Sequence, residues 1–195
     1  MEIKKVAVIG MGTMGHQIGV VTSRAGYPTV MVDLTQEIMD KAMVSIKAFL
    51  NSRIKKGKMT AEETQKALSL ITTTLDLKKA VADADLVIEA VFEDMKCKQD
   101  LFRQIEPLVS KETILASNTS TLYISEMASV LSRPDKCVGT HFLYPAAASP
   151  GIELSRGFDT SDETHQTIVD FFKKCGKEPL TVADSPGFVI NRLYL

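Results

Sequence analysis

The chain has 195 residues, 45% of them hydrophobic and 24% charged, a composition suited to one globular domain with a real core. Its 23 lysines and arginines nearly cancel its 24 aspartates and glutamates, so no net field draws it to nucleic acid or to a membrane surface. The three cysteines, Cys97, Cys137 and Cys175, form no C-x-x-C pair and read as reduced thiols of a cytosol-like compartment, neither a disulfide frame nor a zinc site. No apolar run approaches the roughly 18 residues a membrane helix needs, and glycines break the apolar part of the start, MEIKKVAVIGMGTMG, so it is no signal peptide.

In chain order, KKVAVIG (4–10) is a β-branched apolar run with a glycine stop, the pattern of a buried strand. Residues 13–25 read as helix and TVMVD (29–33) as a second buried strand. A long helix follows, with Ile38, Ala42, Ile46, Phe49 and Leu50 at three- and four-residue spacing, and runs into the basic stretch RIKKGK (53–58). Thr60 with Glu63 predicts a capping box for a returning helix, so the two helices form an inserted hairpin. ITTTL (71–75) and DLVIEAV (85–91) are strands around a short helix, MKCKQDLFRQIEPLV is an amphipathic helix, and TILASN (113–118) is a strand. CVGTHFL, GIELS, a helix opening at Thr160 with Glu163, and EPLTVAD complete the series. Strands alternating with helices predict a Rossmann-type α/β fold, doubly wound, with a mostly parallel sheet. SPGFVINRLYL opens like a new helix after Pro186 and ends apolar and uncapped. The expected division is therefore 1–184 for the nucleotide-binding domain and 185–195 for the start of a helical C-terminal domain that is absent or on another chain.

Gly10-x-Gly12-x-x-Gly15 follows the first strand and opens a helix, and Asp33 closes the second strand. In that context the three glycines, with Thr13 and Met14 between them, predict a dinucleotide cradle with the pyrophosphate on the helix N-terminus. Asp33 suits ribose hydroxyls and repels a 2′-phosphate, and no arginine follows it, which favours NAD over NADP. A glycine turn that binds nothing is the alternative, and the coincidence of strand, turn, helix, second strand and aspartate argues against it. No metal site is predicted.

His141 and Glu153 are a polar pair in an otherwise apolar, proline-broken stretch. If CVGTHFL and GIELS pair as neighbouring strands, the two side chains lie side by side. A neutral imidazole can then take a proton from an alcohol while the glutamate fixes its tautomer. A core histidine bonded to a backbone carbonyl is the alternative, and the nucleotide fingerprint shifts the balance towards chemistry.

With VIGMGTMGHQI and Asp33, VIEAVFEDMKCKQDLF, ILASNTSTL, GTHF with Pro145 and Glu153, and DSPGFVINRL, the whole chain resembles the NAD-binding domain of L-3-hydroxyacyl-CoA dehydrogenases, including the 3-hydroxybutyryl-CoA enzymes. The resemblance implies that His141 is the general base and Glu153 its orienting partner. It implies further that Ser120 and Asn191 hydrogen-bond the reacting oxygen or thioester. Glu93 and Lys98 match cofactor-contact positions, with a solvated helix face as the alternative, and Asn118 lies in the same loop. Lys55 and Lys56, with Arg53 and Lys58, are candidates for the phosphates of a coenzyme A thioester. His16 reads as a helix-surface residue near the cofactor and His165 as solvent-facing. The chain departs from the family pattern at Tyr144, where asparagine is usual, and at AAASPGI, and both changes are expected to reshape the acyl pocket. The alternatives are a dehydrogenase of a free hydroxy acid or sugar acid, and a non-catalytic nucleotide-binding protein. A homodimer formed through the helical domain and a cytoplasmic location, with the mitochondrial matrix not set aside, complete the expectations. The chain by itself is expected to bind NADH and turn over poorly.

Overall fold

The computed structural model describes residues 2–194. Eight strands form one sheet in the order β3-β2-β1-β4-β5-β6-β7-β8. The first six are β1 (Val6–Ile9), β2 (Thr29–Val32), β3 (Ile71–Thr74), β4 (Leu86–Glu89), β5 (Ile114–Ser117) and β6 (Cys137–Phe142), all parallel. β7 (Gly151–Arg156) turns back antiparallel to β6, and β8 (Glu178–Ala183) is parallel to β7. The sheet is therefore doubly wound and mostly parallel.

Alternate side chains of β1, β2, β4, β5 and β6 feed two cores, because successive Cβ atoms point to opposite faces. Val6 and Val8 of β1 join the face covered by α1 (Gly15–Arg24), α2 (Gln36–Lys55), α3 (Ala61–Ser69) and α7 (Asp162–Lys174). Ala7 and Ile9 join the opposite face, covered by α4 (Leu77–Val81), α5 (Met95–Ile105) and α6 (Ile124–Ala128). A short helix, α8 (Ile190–Tyr194), ends the described chain. Burial on both faces explains the apolar runs of the central strands β1 and β4, whereas the edge strands β3 and β8 are largely exposed.

The helical hairpin is present: Thr60 and Glu63 form the reciprocal capping box, and both helices pack against α1. Two local expectations are corrected. The helix after β7 is capped by Ser161, whose hydroxyl accepts the Thr164 N–H, while Thr160 donates its hydroxyl to the Cys137 carbonyl at 2.6 Å. His165 is half-buried, not solvent-facing, with Nε2 2.9 Å from the Thr181 hydroxyl. Helix α6 has no counterpart in the sequence reading. Its Tyr123 N-cap offers no side-chain cap, and the carboxylate of Asp184, 60 residues away, accepts from the amides of Ile124 and Ser125 at 2.8 Å each. Among the described residues no helix is long and apolar enough to cross a membrane.

Candidate active site

The order β2-β1-β4 reverses the winding at β1, and ligands of such sheets bind in the crevice outside the carboxyl ends of the strands at that switch point. Gly10 sits there with φ +90°, and a Cβ on it would come within 2.6 Å of the Ala90 carbonyl oxygen. A Cβ on Gly15 would sit 1.7 Å from the Gly10 carbonyl oxygen, so the helix can start this close to the turn only without one. At Gly12 the space a Cβ would fill is open. Helix α1 also has no side-chain cap and no acidic residue in its first turn, whereas α2, α3, α4, α5 and α7 are each capped by their own N-cap side chain. An open space before a bare helix N-terminus fits the pyrophosphate of a dinucleotide. His16 folds back over the turn, with Nδ1 2.7 Å from the Gly12 carbonyl oxygen.

Asp33 follows β2 and braces the turn. Its Oδ2 accepts from the Met11 amide at 2.5 Å and its Oδ1 from the Leu34 amide at 2.7 Å. Each oxygen keeps a lone pair for another donor. A groove of about 730 Å³ extends from here, lined by Gly10, Gly12, Asp33, Leu34, Phe92 and Leu101. Leu34 and Phe92 are 91% and 80% exposed, two large apolar side chains beside a polar turn. Such walls suit a flat aromatic base.

His141 and Glu153 are direct cross-strand partners in the β6–β7 ladder, as the strand pairing predicts. Nδ1 of His141 lies 2.7 Å from Oε2 of Glu153, and both residues are buried. The other carboxylate oxygen, Oε1, accepts from the amides of Val189 and Ile190 at 3.0 and 2.9 Å. Both oxygens are thus held, and the imidazole rests against the Phe188 ring with centroids 5.5 Å apart. Nε2 has no hydrogen-bond partner among the described residues and is not sealed from solvent. A carboxylate on Nδ1 favours the tautomer with its proton there, which leaves Nε2 bare and basic.

The loop after β5 stands at the same edge of the sheet. Asn118 Oδ1 accepts the amide of Phe142, next to His141, at 3.1 Å. Asn191 donates its side-chain amide to the Ser120 carbonyl at 3.1 Å, and the Ser120 hydroxyl has no partner among the described residues. Glu93 organises this loop. Its Oε1 accepts the hydroxyl of Thr119 at 2.6 Å and the amides of Ser120 and Thr121 at 2.8 and 3.0 Å. Partial burial works against its ionisation, but the Thr119 hydroxyl, the Lys98 ammonium and the loop amides together hold its carboxyl below the usual range.

Lys98 differs from the solvated face its helix position suggests. It is 1% exposed, and its ammonium lies 2.6 Å from Glu89 and 3.3 Å from Glu93. The sequence signals Glu89 only as a glutamate ending an apolar parallel strand, and its role emerges from the buried contacts. Lys55 and Lys56 are exposed on the last turn of α2 and its cap and make no polar contact with the dyad. Thus Gly10, Gly12, Thr13, Met14, Gly15 and Asp33 form one cluster, and His141, Glu153, Asn118, Ser120, Asn191 and Glu93 a second, both at the carboxyl edge of the parallel strands.

The family model for the NAD-binding domain of 3-hydroxyacyl-CoA dehydrogenase matches residues 5–185. The chain is 42% identical over 192 residues to the fatty acid oxidation complex subunit alpha of Idiomarina loihiensis, covering 98% of this chain and 27% of that protein. It is 41% identical over 192 residues to a probable 3-hydroxybutyryl-CoA dehydrogenase of Deinococcus radiodurans, covering 98% of this chain and 68% of that one. The crystal structure of 3-hydroxybutyryl-CoA dehydrogenase from Escherichia coli K12 superposes with a TM-score of 0.96 at 35% identity, over 99% of this chain and 41% of that one. The chain therefore spans about a quarter of the first of these relatives and belongs, by sequence and fold together, to the 3-hydroxyacyl-CoA dehydrogenase family as its NAD-binding domain.

Proposed function

We propose that this chain binds NAD and carries the base for oxidation of an L-3-hydroxyacyl-CoA to the 3-oxoacyl-CoA. The observation that carries the reading is the His141–Glu153 pair, 2.7 Å apart and with Nε2 open, at the same sheet edge as the glycine turn. Bound nicotinamide supplies the hydride acceptor. His141 Nε2 takes the hydroxyl proton, and Glu153 stabilises the imidazolium that forms. Ser120, its hydroxyl unspent, and Asn191, held on the Ser120 carbonyl, are positioned to meet the substrate oxygen. Asp33 selects a dinucleotide without a 2′-phosphate, and the open space at Gly12 admits its pyrophosphate.

The family match ends at residue 185 and Ile190–Tyr194 forms a separate short helix, which supports a division at 184/185. The free thiols Cys97, Cys137 and Cys175 fit a reducing compartment, the cytoplasm or the mitochondrial matrix. A homodimer formed through a helical domain belongs to the same reading. Tyr144, 69% exposed in the turn after the His141 strand, favours a second reading in which the substrate is a free hydroxy acid. Titration of NADH and NADPH, followed by acetoacetyl-CoA into the cofactor complex, tests the first. Tighter NADH binding and a thioester signal support it. Binding of free 3-oxo acids in place of the thioester would move the assignment to the second.

A further inference from the structure

Glu89 is a charge that a strand does not need. It ends β4 fully buried, after three apolar residues. Burial pushes its carboxyl above the usual range, against the pull of the Lys98 ammonium. An apolar side chain of similar size would serve a buried strand at lower cost.

The carboxylate ties three elements together. Oε1 accepts from Lys98 Nζ and from the Val91 amide, each at 2.6 Å, and Oε2 accepts the Ser117 hydroxyl at 2.6 Å. Two routes then lead to the loop of residues 117–121. In one, the Ser117 hydroxyl oxygen accepts the Thr119 amide at 3.2 Å. In the other, Lys98 reaches Glu93 at 3.3 Å, and Glu93 gathers the donors of Thr119, Ser120 and Thr121. The Glu89 backbone carbonyl also accepts the Asn118 amide at 2.8 Å. That loop carries Asn118, bonded beside His141, and Ser120, bonded to Asn191.

We infer that Glu89 is a positioning residue: through Ser117 and the Lys98–Glu93 bridge it sets where Asn118 and Ser120 stand relative to His141. Its consequence for turnover rests on the dehydrogenase reading, and its consequence for the loop rests on the hydrogen bonds alone. The competing account is a pair that only stabilises the fold. A buried ion pair replaced whole by apolar side chains of similar length commonly leaves stability unchanged or raised, whereas removal of one partner does not.

The test is the double variant Glu89→Met with Lys98→Met, beside Glu89→Gln alone. Three readouts are compared with the unsubstituted protein: urea midpoint, hydrogen exchange of the Ser120 and Thr121 amides, and steady-state reduction of acetoacetyl-CoA by NADH. The expected result for the double variant is a urea midpoint at or above the original. Its loop amides should exchange at least tenfold faster, and kcat should fall at least tenfold with KM within threefold. Glu89→Gln, which keeps the shape and one acceptor, should show smaller changes in exchange and kcat in the same direction, with a lowered urea midpoint because Lys98 stays buried without its carboxylate. Unchanged exchange and kcat within twofold in a stable double variant would overturn the inference. If the double variant does not fold, Glu89→Gln decides by the same readouts. If the unsubstituted protein with NADH neither binds nor reduces acetoacetyl-CoA, the proposed substrate fails, and if it binds the thioester but turns over poorly, as expected of this chain, amide exchange alone decides the positioning role.

Discussion

Alanine at Gly12 and alanine at Gly15 should do opposite things, although the two glycines belong to one motif. A Cβ at Gly15 would lie 1.7 Å from the Gly10 carbonyl oxygen and 2.8 Å from its carbon, both backbone atoms. That shorter separation would have to double to reach ordinary contact at 3.4 Å. Gly10 cannot retreat, because the turn is already pressed against Ala90 at the end of β4. The start of α1 must shift instead, at a cost of about 3 kcal/mol or more, since overpacking against rigid backbone lies at the upper end of such penalties. Gly12→Ala meets nothing in the protein, so its unfolding free energy should stay within about 0.5 kcal/mol of the original. Its methyl group would fill the space through which a pyrophosphate approaches. That should weaken NADH by about 1–3 kcal/mol, between five- and a hundred-and-fifty-fold. Urea unfolding followed by circular dichroism reads the first quantity and an NADH fluorescence titration the second. A Gly12→Ala protein that is stable and binds NADH as tightly as the original would refute the cradle.

Glu153→Gln keeps a side chain of the same size but loses the carboxylate on His141 Nδ1, so turnover should fall by about 10²–10⁴ with NADH affinity held within threefold. Lost NADH binding in that variant would mark Glu153 as structural. For Glu93, the folded carboxyl lies below its ordinary range, so its stabilisation is present above about pH 4.3 and disappears as pH falls through the folded value. The stability gap between the original and Glu93→Gln should therefore be open at pH 7 and close in acid, and a gap that widens in acid would reverse that sign. Of the cysteines, Cys97 is exposed, while burial pushes the Cys175 thiol up to about 12 and Cys137 higher still. One thiol should react with a disulfide reagent in the native protein and three after unfolding; a second fast thiol would contradict the burial.

What could be read from the sequence was what neighbouring residues decide together. The strand–glycine–helix unit and Asp33 lie within 28 residues, and the pairing of CVGTHFL with GIELS across a proline turn, a condition the ladder meets, brings His141 opposite Glu153. Less legible were arrangements settled by partners far along the chain. Helix α6 takes its cap from Asp184, so no local signal opens it. Lys98 reads as one charge among many on an amphipathic helix, and only the end of β4 beneath it makes the position a buried one. The cap of α7 lies one residue on, at Ser161, while the Thr160 hydroxyl donates to the carbonyl of Cys137, 23 residues back along the chain.

Proton abstraction by His141 requires that Nε2 be the bare nitrogen. Nitrogen-15 NMR of the imidazole in the native protein, near neutral pH, reports the tautomer directly. The hydrogen bond at 2.7 Å to Glu153 predicts a neutral ring protonated at Nδ1 with Nε2 free, and a shift of that population in Glu153→Gln. A ring protonated at Nε2, or one whose tautomer does not respond to Glu153, would contradict the assignment of His141 as the base.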